Sequence, residues 1–140
     1  MDLRIQKDCK DVDWKTVSET LKIVDMGYHE PDTHKKAFEA SYTTIFVYDT
    51  DRLIGFGRAI SDGVYQAAVY DCAVNPEYQG KGIGKLIIQK IMQQVSNCTV
   101  VLYASPGKEG FYQKYGFRKM KTGMALFTKP EKMKNLGFTE

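Results

Sequence analysis

The chain has 140 residues, 43% of them hydrophobic and 26% charged, which is the composition of an ordinary soluble globular protein. Its length predicts one domain, residues 1–140, with a hydrophobic core of its own. The net charge of +3 is too small to indicate nucleic-acid binding, and no apolar stretch approaches membrane-spanning length. The N-terminus lacks the apolar core of a signal peptide. We therefore expect neither a nucleic-acid partner nor a membrane partner.

Cysteine and histidine usage gives the expected compartment and argues against a metal site. Cys9, Cys72 and Cys98 are scattered and form no Cys-x-x-C pair, which favours reduced thiols and a cytoplasmic location. The two histidines, His29 and His34, are five residues apart with no cysteine nearby, which is a poor metal site. We therefore expect no metal.

Two helices are predicted after a first short strand at residues 3–7. Asp13 is suited to cap a helix over residues 14–24, whose apolar residues recur on one face, and Gly27 is the predicted stop. Pro31 or Asp32 opens a second helix that runs to about residue 40.

Three antiparallel strands are predicted next, at residues 45–48, 53–60 and 64–74. Turns at residues 49–51 and 61–63 connect them. The third strand is long and mainly apolar, as expected for the centre of a sheet.

The second half of the chain is predicted to continue with alternating helices and strands. A helix ends near residues 96–97, and a short buried strand follows at residues 100–104. A brief helix over 109–114 ends at Gly116, and residues 117–120 and 123–128 are predicted closing strands. Residues 130–140 form a tail or a short helix. The element order, β-α-α-β-β-β-α-β-α-β, indicates an α+β fold with a mixed central sheet.

A glycine-rich loop at residues 79–84 joins the long strand to an amphipathic helix. Gly80, Gly82 and Gly84 alternate with other residues, so the backbone can take positive φ or approach a ligand closely. A helix start presents unpaired N–H groups and the positive end of a dipole. With Lys81 and Lys85 nearby, this loop predicts an anion site suited to phosphates.

Two common phosphate-binding motifs do not match this loop. A P-loop needs a glycine where Gln79 stands and a hydroxyl where Leu86 stands. A dinucleotide fingerprint needs its first glycine directly after the strand, whereas Gly80 is the sixth residue after Val74. A glycine-rich turn without any ligand is the remaining alternative.

The pattern Gln-x-x-Gly-x-Gly, between a strand and a helix, resembles the acyl-CoA signature of the GNAT superfamily of N-acyltransferases. The matching residues are Val74, Gln79, Gly82 and Gly84, with Gly80 and Lys81 as common choices between them. Residues 111–117, Phe-Tyr-Gln-Lys-Tyr-Gly-Phe, also match the family's aromatic-Tyr-x-x-x-Gly-Phe element. The resemblance covers residues 45–127. It departs from the family at Ser105-Pro106, where an asparagine is common.

The resemblance implies the GNAT fold, a mixed central sheet with helices on both faces, and acetyl-CoA as cosubstrate. In the family, a bulge splays the strand before the loop from the next strand, and the pantetheine arm lies in the gap. An N–H near Val74 would then bond the thioester oxygen, although tight core packing accounts for Cys72 and Ala73 equally well. The residues predicted to bind the cofactor are Cys72, Ala73, Val74, Gln79, Gly80, Lys81, Gly82, Ile83, Gly84, Lys85 and Tyr115.

Tyr112 matches the position of the family's general acid. A phenol has a pKa of about 10, so it is protonated at neutral pH and can donate to a departing thiolate. The alternative is that Phe111, Tyr112 and Tyr115 form a packed aromatic face. Tyr115 is the second candidate for the acid.

Asp71, on the strand close to the expected acetyl group, is the second predicted catalytic residue, as general base. Glu77, Glu30 and His34 are alternatives, and a water chain needs no single base. An acyl-enzyme on Cys72 is disfavoured, because no histidine is close in sequence and a buried thiol usually acts as a small hydrophobe.

The predicted function is acetyl transfer from acetyl-CoA to a primary amine of a small molecule or peptide, by direct attack in a ternary complex. A non-catalytic acyl-CoA-binding or sensing module on the same fold is the alternative. The acceptor is not determined by the sequence, since the aromatic residues that could line its pocket are also core candidates: Tyr28, Phe38, Phe46 and Tyr65. The sequence leaves open whether the protein forms a homodimer.

Overall fold

The computed structural model describes all of residues 1–140. They form two compact units, an N-terminal unit, Met1–Leu102, and a C-terminal unit, Tyr103–Glu140. The interpretation of the chain as one domain stays a prediction.

A five-stranded sheet forms the centre of the N-terminal unit. Its strands lie in chain order: β1 (Leu3–Gln6), β2 (Thr43–Asp49), β3 (Arg52–Ser61), β4 (Gln66–Val74) and β5 (Thr99–Val101). Neighbours from β1 to β4 are antiparallel, whereas β5 is parallel to β4. The prediction of an α+β fold with a mixed sheet is confirmed.

Three helices accompany this sheet: α1 (Trp14–Ile23), α2 (Pro31–Glu39) and α3 (Ile83–Gln94). Asp13 caps α1 as predicted, because its Oδ1 accepts hydrogen bonds from the backbone N–H groups of Lys15 and Thr16 at 3.1 and 3.3 Å. The predicted stop at Gly27 is wrong. Helix α1 ends at Ile23, and Asp25 follows in the left-handed conformation with φ 59°.

Helices pack on both faces of the sheet, as predicted. On one face, α1 and α2 enclose a core of fully buried side chains: Val17, Leu21, Phe38, Phe46 and Phe56. On the other face, Ile83, Ile87 and Ile91 of α3 lie against two glycines of β3, Gly55 and Gly57. Because these glycines lack side chains, α3 approaches the β3 backbone closely.

Gly57→Ala tests this close approach. A Cβ at residue 57 would lie 2.7 Å from Cys72 Sγ and 2.9 Å from Ile87 Cγ2, closer than such atoms normally come. We expect the free energy of unfolding in urea to fall by about 1–3 kcal/mol, the usual cost of overpacking. Gly27→Ala is the matched control, since a Cβ there meets nothing within 4 Å. Equal denaturation midpoints for the two variants would contradict the expectation.

All five strands differ from their predicted ranges at one or both ends, and β4 and β5 differ most in what they imply. Strand β4 begins at Gln66 rather than at residue 64, because Asp62 Oδ1 accepts the N–H groups of Val64, Tyr65 and Gln66 at 2.8–3.1 Å. These bonds hold the chain in a turn, so the hydrogen-bonded pairing of β4 with its neighbours begins only after it. A short strand is present where one was predicted at 100–104, but β5 ends at Val101 and is largely exposed, so its predicted burial is wrong.

The C-terminal unit contains two short helices, α4 (Glu109–Gln113) and α5 (Pro130–Asn135). Gly116, at φ 90°, lies just after α4 as predicted. The predicted strands at 117–120 and 123–128 are wrong, because no backbone ladder forms there and Met124 and Leu126 are fully exposed. Instead, Phe127 packs with Tyr103 and Phe138, at centroid distances of 5.5 and 6.4 Å.

None of the helices combines the length and the apolar character that crossing a bilayer requires.

Candidate active site

Strand β4 contains a bulge two residues before its end. Between the pairs Phe56–Ala73 and Arg58–Tyr70, β3 has one residue, Gly57, whereas β4 has two, Asp71 and Cys72. Asp71 has φ 56°, the left-handed conformation. A bulge increases the local twist and bends the strand that carries the extra residue.

Strand β5 ends before it reaches the level of this bulge. Pairing between the two strands covers only Gln66–Ala68 of β4. Within the N-terminal unit, residues 69–74 therefore have no strand partner on the β5 side. The splayed gap that the family resemblance implies, with the backbone of Cys72, Ala73 and Val74 beside it, stays a prediction.

A short 3-10 helix, Pro76–Tyr78, connects β4 to the glycine loop. The Asn75 N–H donates to the Ile54 carbonyl at 2.8 Å, and Asn75 Oδ1 accepts from the Glu77 N–H at 2.9 Å. Gln79 Nε2 donates to the Val74 carbonyl at 3.1 Å. The Gln79 side chain therefore closes the turn, while its predicted contact with the cofactor stays a prediction.

Tyr78 anchors this turn to the hairpin between β2 and β3. Its hydroxyl donates to Asp49 Oδ2 at 2.7 Å, and Arg52 pairs with Glu77 at 2.6 Å on the surface. The hydrogen bond to Asp49 raises the pKa of Tyr78, and together with the Asp2 N–H it lowers the pKa of Asp49. Glu77, one of the alternative bases, is thus engaged by a guanidinium. This anchor was not predicted from the sequence, because Tyr78 and Asp49 are 29 residues apart.

The glycine loop ends in an uncapped helix start. Gly80 and Gly82 have φ of 76° and 84°, and Gly82 is the N-cap of α3 with no side-chain hydrogen bond to the helix. The first helical bond runs from the Leu86 N–H to the Gly82 carbonyl, at 3.1 Å. The N–H groups of Ile83, Gly84 and Lys85 precede it and are available to an anion.

The side chains around this helix start are sparse, and those present are basic. A Cβ at residue 80 or 82 would meet nothing within 4 Å, so backbone conformation rather than space requires glycine there. Lys81 and Lys85 are exposed, and Lys81 Nζ lies 5.5 Å from the Tyr78 ring centroid. Open backbone donors with two nearby cations suit a diphosphate.

The predicted base Asp71 is engaged by Arg58 in a partly buried ion pair. Arg58 Nε donates to Asp71 Oδ2 at 2.7 Å, and the side chains are 15% and 21% exposed. Glu30, another alternative, is the exposed N-cap of α2. No three His, Cys, Asp or Glu side chains are placed together to hold a metal ion.

His34, the remaining alternative base, is buried, and its Nε2 is occupied. Nε2 accepts a hydrogen bond from the His29 backbone N–H at 2.8 Å, so that nitrogen carries no proton. Burial lowers the pKa of His34, an effect that His29 and Arg58 reinforce and Asp71 opposes. His34 is therefore a neutral side chain that secures the loop before α2.

This arrangement predicts a loss of stability in mild acid. Because the folded protein lowers the pKa of His34, the unfolded chain takes up the proton more readily, and stability falls as pH drops below about 6.5. The slope for one proton reaches about 1.4 kcal/mol per pH unit. We expect urea denaturation between pH 7.5 and pH 5 to show stability falling toward acid with a slope up to this limit, and the fall to be smaller in His34→Gln. His29→Gln, which retains the backbone donor, should keep it, and an unchanged slope in His34→Gln would contradict the assignment.

Cys72 is the second of the two bulge residues of β4, and its surroundings disfavour the thiolate. Burial, reinforced by the charge of Asp71, raises its pKa to about 12. A thiolate is the form that attacks an acyl group, so this environment disfavours an acyl-cysteine intermediate. All three cysteines are free thiols.

Tyr112 and Tyr115 belong to an aromatic cluster in the C-terminal unit. The Phe111 ring lies 5.1 Å from Tyr112 and 5.3 Å from Tyr115, and the Tyr112 ring lies 5.9 Å from Phe117. The packing of the rings is thus observed. The general-acid role of Tyr112 and the cofactor contact of Tyr115 stay predictions.

The four aromatic residues considered for an acceptor pocket divide into two groups. Phe38 and Phe46 are fully buried in the core. The side chains of Tyr28 and Tyr65 are 50% and 64% exposed. Only the latter two are accessible from solvent.

A family model described as an acetyltransferase (GNAT) domain matches residues 15–125, which is most of the chain. The chain belongs to the GNAT family. This confirms the family inferred from the glycine loop and the aromatic-Tyr-x-x-x-Gly-Phe element.

Relatives and solved structures support this membership. An uncharacterized N-acetyltransferase ycf52 from Gracilaria tenuistipitata var. liui is 32% identical over 81% of this chain and 59% of its own. Serotonin N-acetyltransferase 2, chloroplastic, from rice is 35% identical over 60% of this chain and 45% of its own. The crystal structure of a probable acetyltransferase of unknown function from Staphylococcus aureus aligns with a TM-score of 0.79 and 27% identity, covering 89% of this chain and 98% of that one.

The curated relatives are longer GNAT proteins than this chain. The chain spans about half the length of those it matches, 44–50% for three of them.

Proposed function

We propose that this GNAT protein is an acetyl-CoA-dependent N-acetyltransferase that acts on a primary amine of a small molecule or peptide. The uncapped start of α3 after the glycine loop is the observation that carries the proposal. It offers three consecutive backbone donors, at residues 83–85, and two lysines where a diphosphate would bind. The open edge of β4, which ends just before this loop, suits an extended arm.

The proposed reaction is a direct transfer in a ternary complex. Acetyl-CoA supplies the activated acyl group, and the new C–N bond forms as the C–S bond breaks. A backbone N–H near Val74 bonds the carbonyl oxygen and stabilises the charge that develops there. The Tyr112 phenol gives its proton to the departing thiolate, and the amine loses its proton to water.

The environment of Cys72 favours this direct route over a two-step one. Burial raises the pKa of the Cys72 thiol, which favours its protonated form at neutral pH and disfavours its attack on a thioester. No other cysteine belongs to β4 or to the glycine loop.

The proposed class of acceptor, a primary amine, is supported by the family and by the name of one relative. Rice serotonin N-acetyltransferase 2 is named for an acceptor that is a primary amine. An amine panel with arylalkylamines, polyamines, amino sugars and short peptides therefore samples the relevant chemistry.

The test measures CoA release from acetyl-CoA, with a thiol reagent, across that amine panel. We expect one amine class to raise release well above the rate without acceptor, and mass spectrometry to find the acetylated amine. A reaction without amine subtracts hydrolysis. If calorimetry shows that acetyl-CoA binds but no amine stimulates release, the protein is an acyl-CoA-binding module and the proposal fails.

A further inference from the structure

We propose that Arg58 is a positioning residue of this site: its ion pair with Asp71 holds Asp71 in the left-handed conformation on which the β4 bulge depends. This inference rests on the proposed function, because the bulge shapes the backbone that would face the thioester. It assigns to Asp71 a role through its backbone rather than as a base.

The conformation of Asp71 is unusual for a residue with a side chain. In a bulge of this kind the left-handed position is normally occupied by glycine, because a Cβ there crowds the backbone. Asp71 occupies it with φ 56°, opposite Gly57. Asp adopts this conformation more readily than most residues with a Cβ, but less freely than glycine, so a contact that holds its side chain stabilises the bulge.

Arg58 provides that support from the neighbouring strand. Its Cα partner across the sheet is Tyr70, directly before the bulge, and its Nε reaches Asp71 Oδ2 at 2.7 Å. The bond joins one strand to the extra residue of the other. Since both side chains are mostly buried, water competes little for it.

The guanidinium of Arg58 is itself held on several sides. Its NH1 donates to Ser41 Oγ at 3.3 Å, and Ser41 Oγ donates to the Ala37 carbonyl at 2.8 Å in the last turn of α2. The guanidinium also lies over the rings of Phe38 and Tyr70, at 5.7 and 5.3 Å from their centroids. Arg58 is thus a fixed group that connects α2, β3 and the bulge.

The first experiment compares Asp71→Ala with Asp71→Gly, because both remove the carboxylate and only glycine takes the left-handed conformation freely. We expect Asp71→Ala to lower kcat about tenfold, with the Kd for CoA within about threefold of wild type. Asp71→Gly should retain kcat near that of wild type. If the two variants lose activity equally, the carboxylate itself is needed and the proposal is overturned. If Asp71→Ala is unimpaired, it is overturned as well.

The second experiment tests whether Arg58 supports the left-handed conformation of residue 71. We expect Arg58→Gln to lower kcat, and the double variant Arg58→Gln with Asp71→Gly to recover most of the loss, since glycine needs no partner there. Failure of the double variant to exceed Arg58→Gln would overturn the proposal.

Backbone amide NMR gives a readout that does not require turnover. The ¹⁵N–¹H signals of Cys72, Ala73 and Val74 should shift in Asp71→Ala and in Arg58→Gln, and return toward wild-type positions when residue 71 is glycine. Unchanged signals in both single variants would overturn the positioning role even if no acceptor amine were found. A failure of the positioning role of Arg58 can therefore be distinguished from a failure of the proposed acetyltransferase function.

Discussion

Gly82→Asp is expected to weaken CoA binding at least about 100-fold. The new carboxylate would lie at the N-cap of α3, where it competes for the open N–H groups of residues 83–85 and repels a diphosphate. Hydrogen bonds to charged groups contribute about 1.5–3 kcal/mol each, so losing one or two gives a change of this size. Isothermal titration calorimetry with CoA measures it directly.

Gly82→Asn is the control for this variant. Asn tolerates the φ of 84° at least as well as Asp and has nearly the same shape, but it carries no charge. We expect a smaller loss of affinity for Asn than for Asp. Wild-type affinity in Gly82→Asp would show that the start of α3 does not hold the diphosphate, and the proposed function would lose its main support.

Tyr112→Phe is expected to lower kcat by a factor of about 10²–10⁴, the usual contribution of a general acid. The substitution removes only the hydroxyl, so the ring can keep its packing with Phe111 and Phe117 in the C-terminal unit. The Kd for CoA should stay close to that of wild type, because a proton donor to the thiolate acts during bond breaking. Steady-state kinetics with a saturating acceptor measures the loss.

Tyr115→Phe is the matched control, since it removes the same atom from the second tyrosine of the cluster. A large loss in Tyr115→Phe with full activity in Tyr112→Phe would transfer the acid role to Tyr115. Full activity in both would remove the phenol from the mechanism and leave solvent as the proton donor.

Features that depend on neighbours in sequence were predicted well. The Asp13 cap, the buried Phe38 and the start of α3 after alternating glycines all follow from residues a few positions apart. The mixed sheet followed from the order of the elements. Local chemistry was sufficient for most of the N-terminal unit and for the uncapped helix start after the glycine loop.

Features that depend on distant partners were not predicted from the residues alone. The conformation of Asp71 depends on Arg58, 13 residues away, and the anchor at Tyr78 depends on Asp49, 29 residues away. The segments 117–120 and 123–128 were predicted as strands, but no strand forms there. Their composition suits strands, but a strand requires a paired backbone, which the sequence pattern does not guarantee.

The two glycines of β3 have a consequence for the dimensions of the proposed coenzyme site. They allow α3 to pack closely on the sheet, and the proposal places the diphosphate at the start of α3 and the thioester beside β4. Side chains at residues 55 and 57 would move α3 outward and with it the diphosphate end. Two residues that need never touch a coenzyme would thereby affect the distance that its arm has to cover.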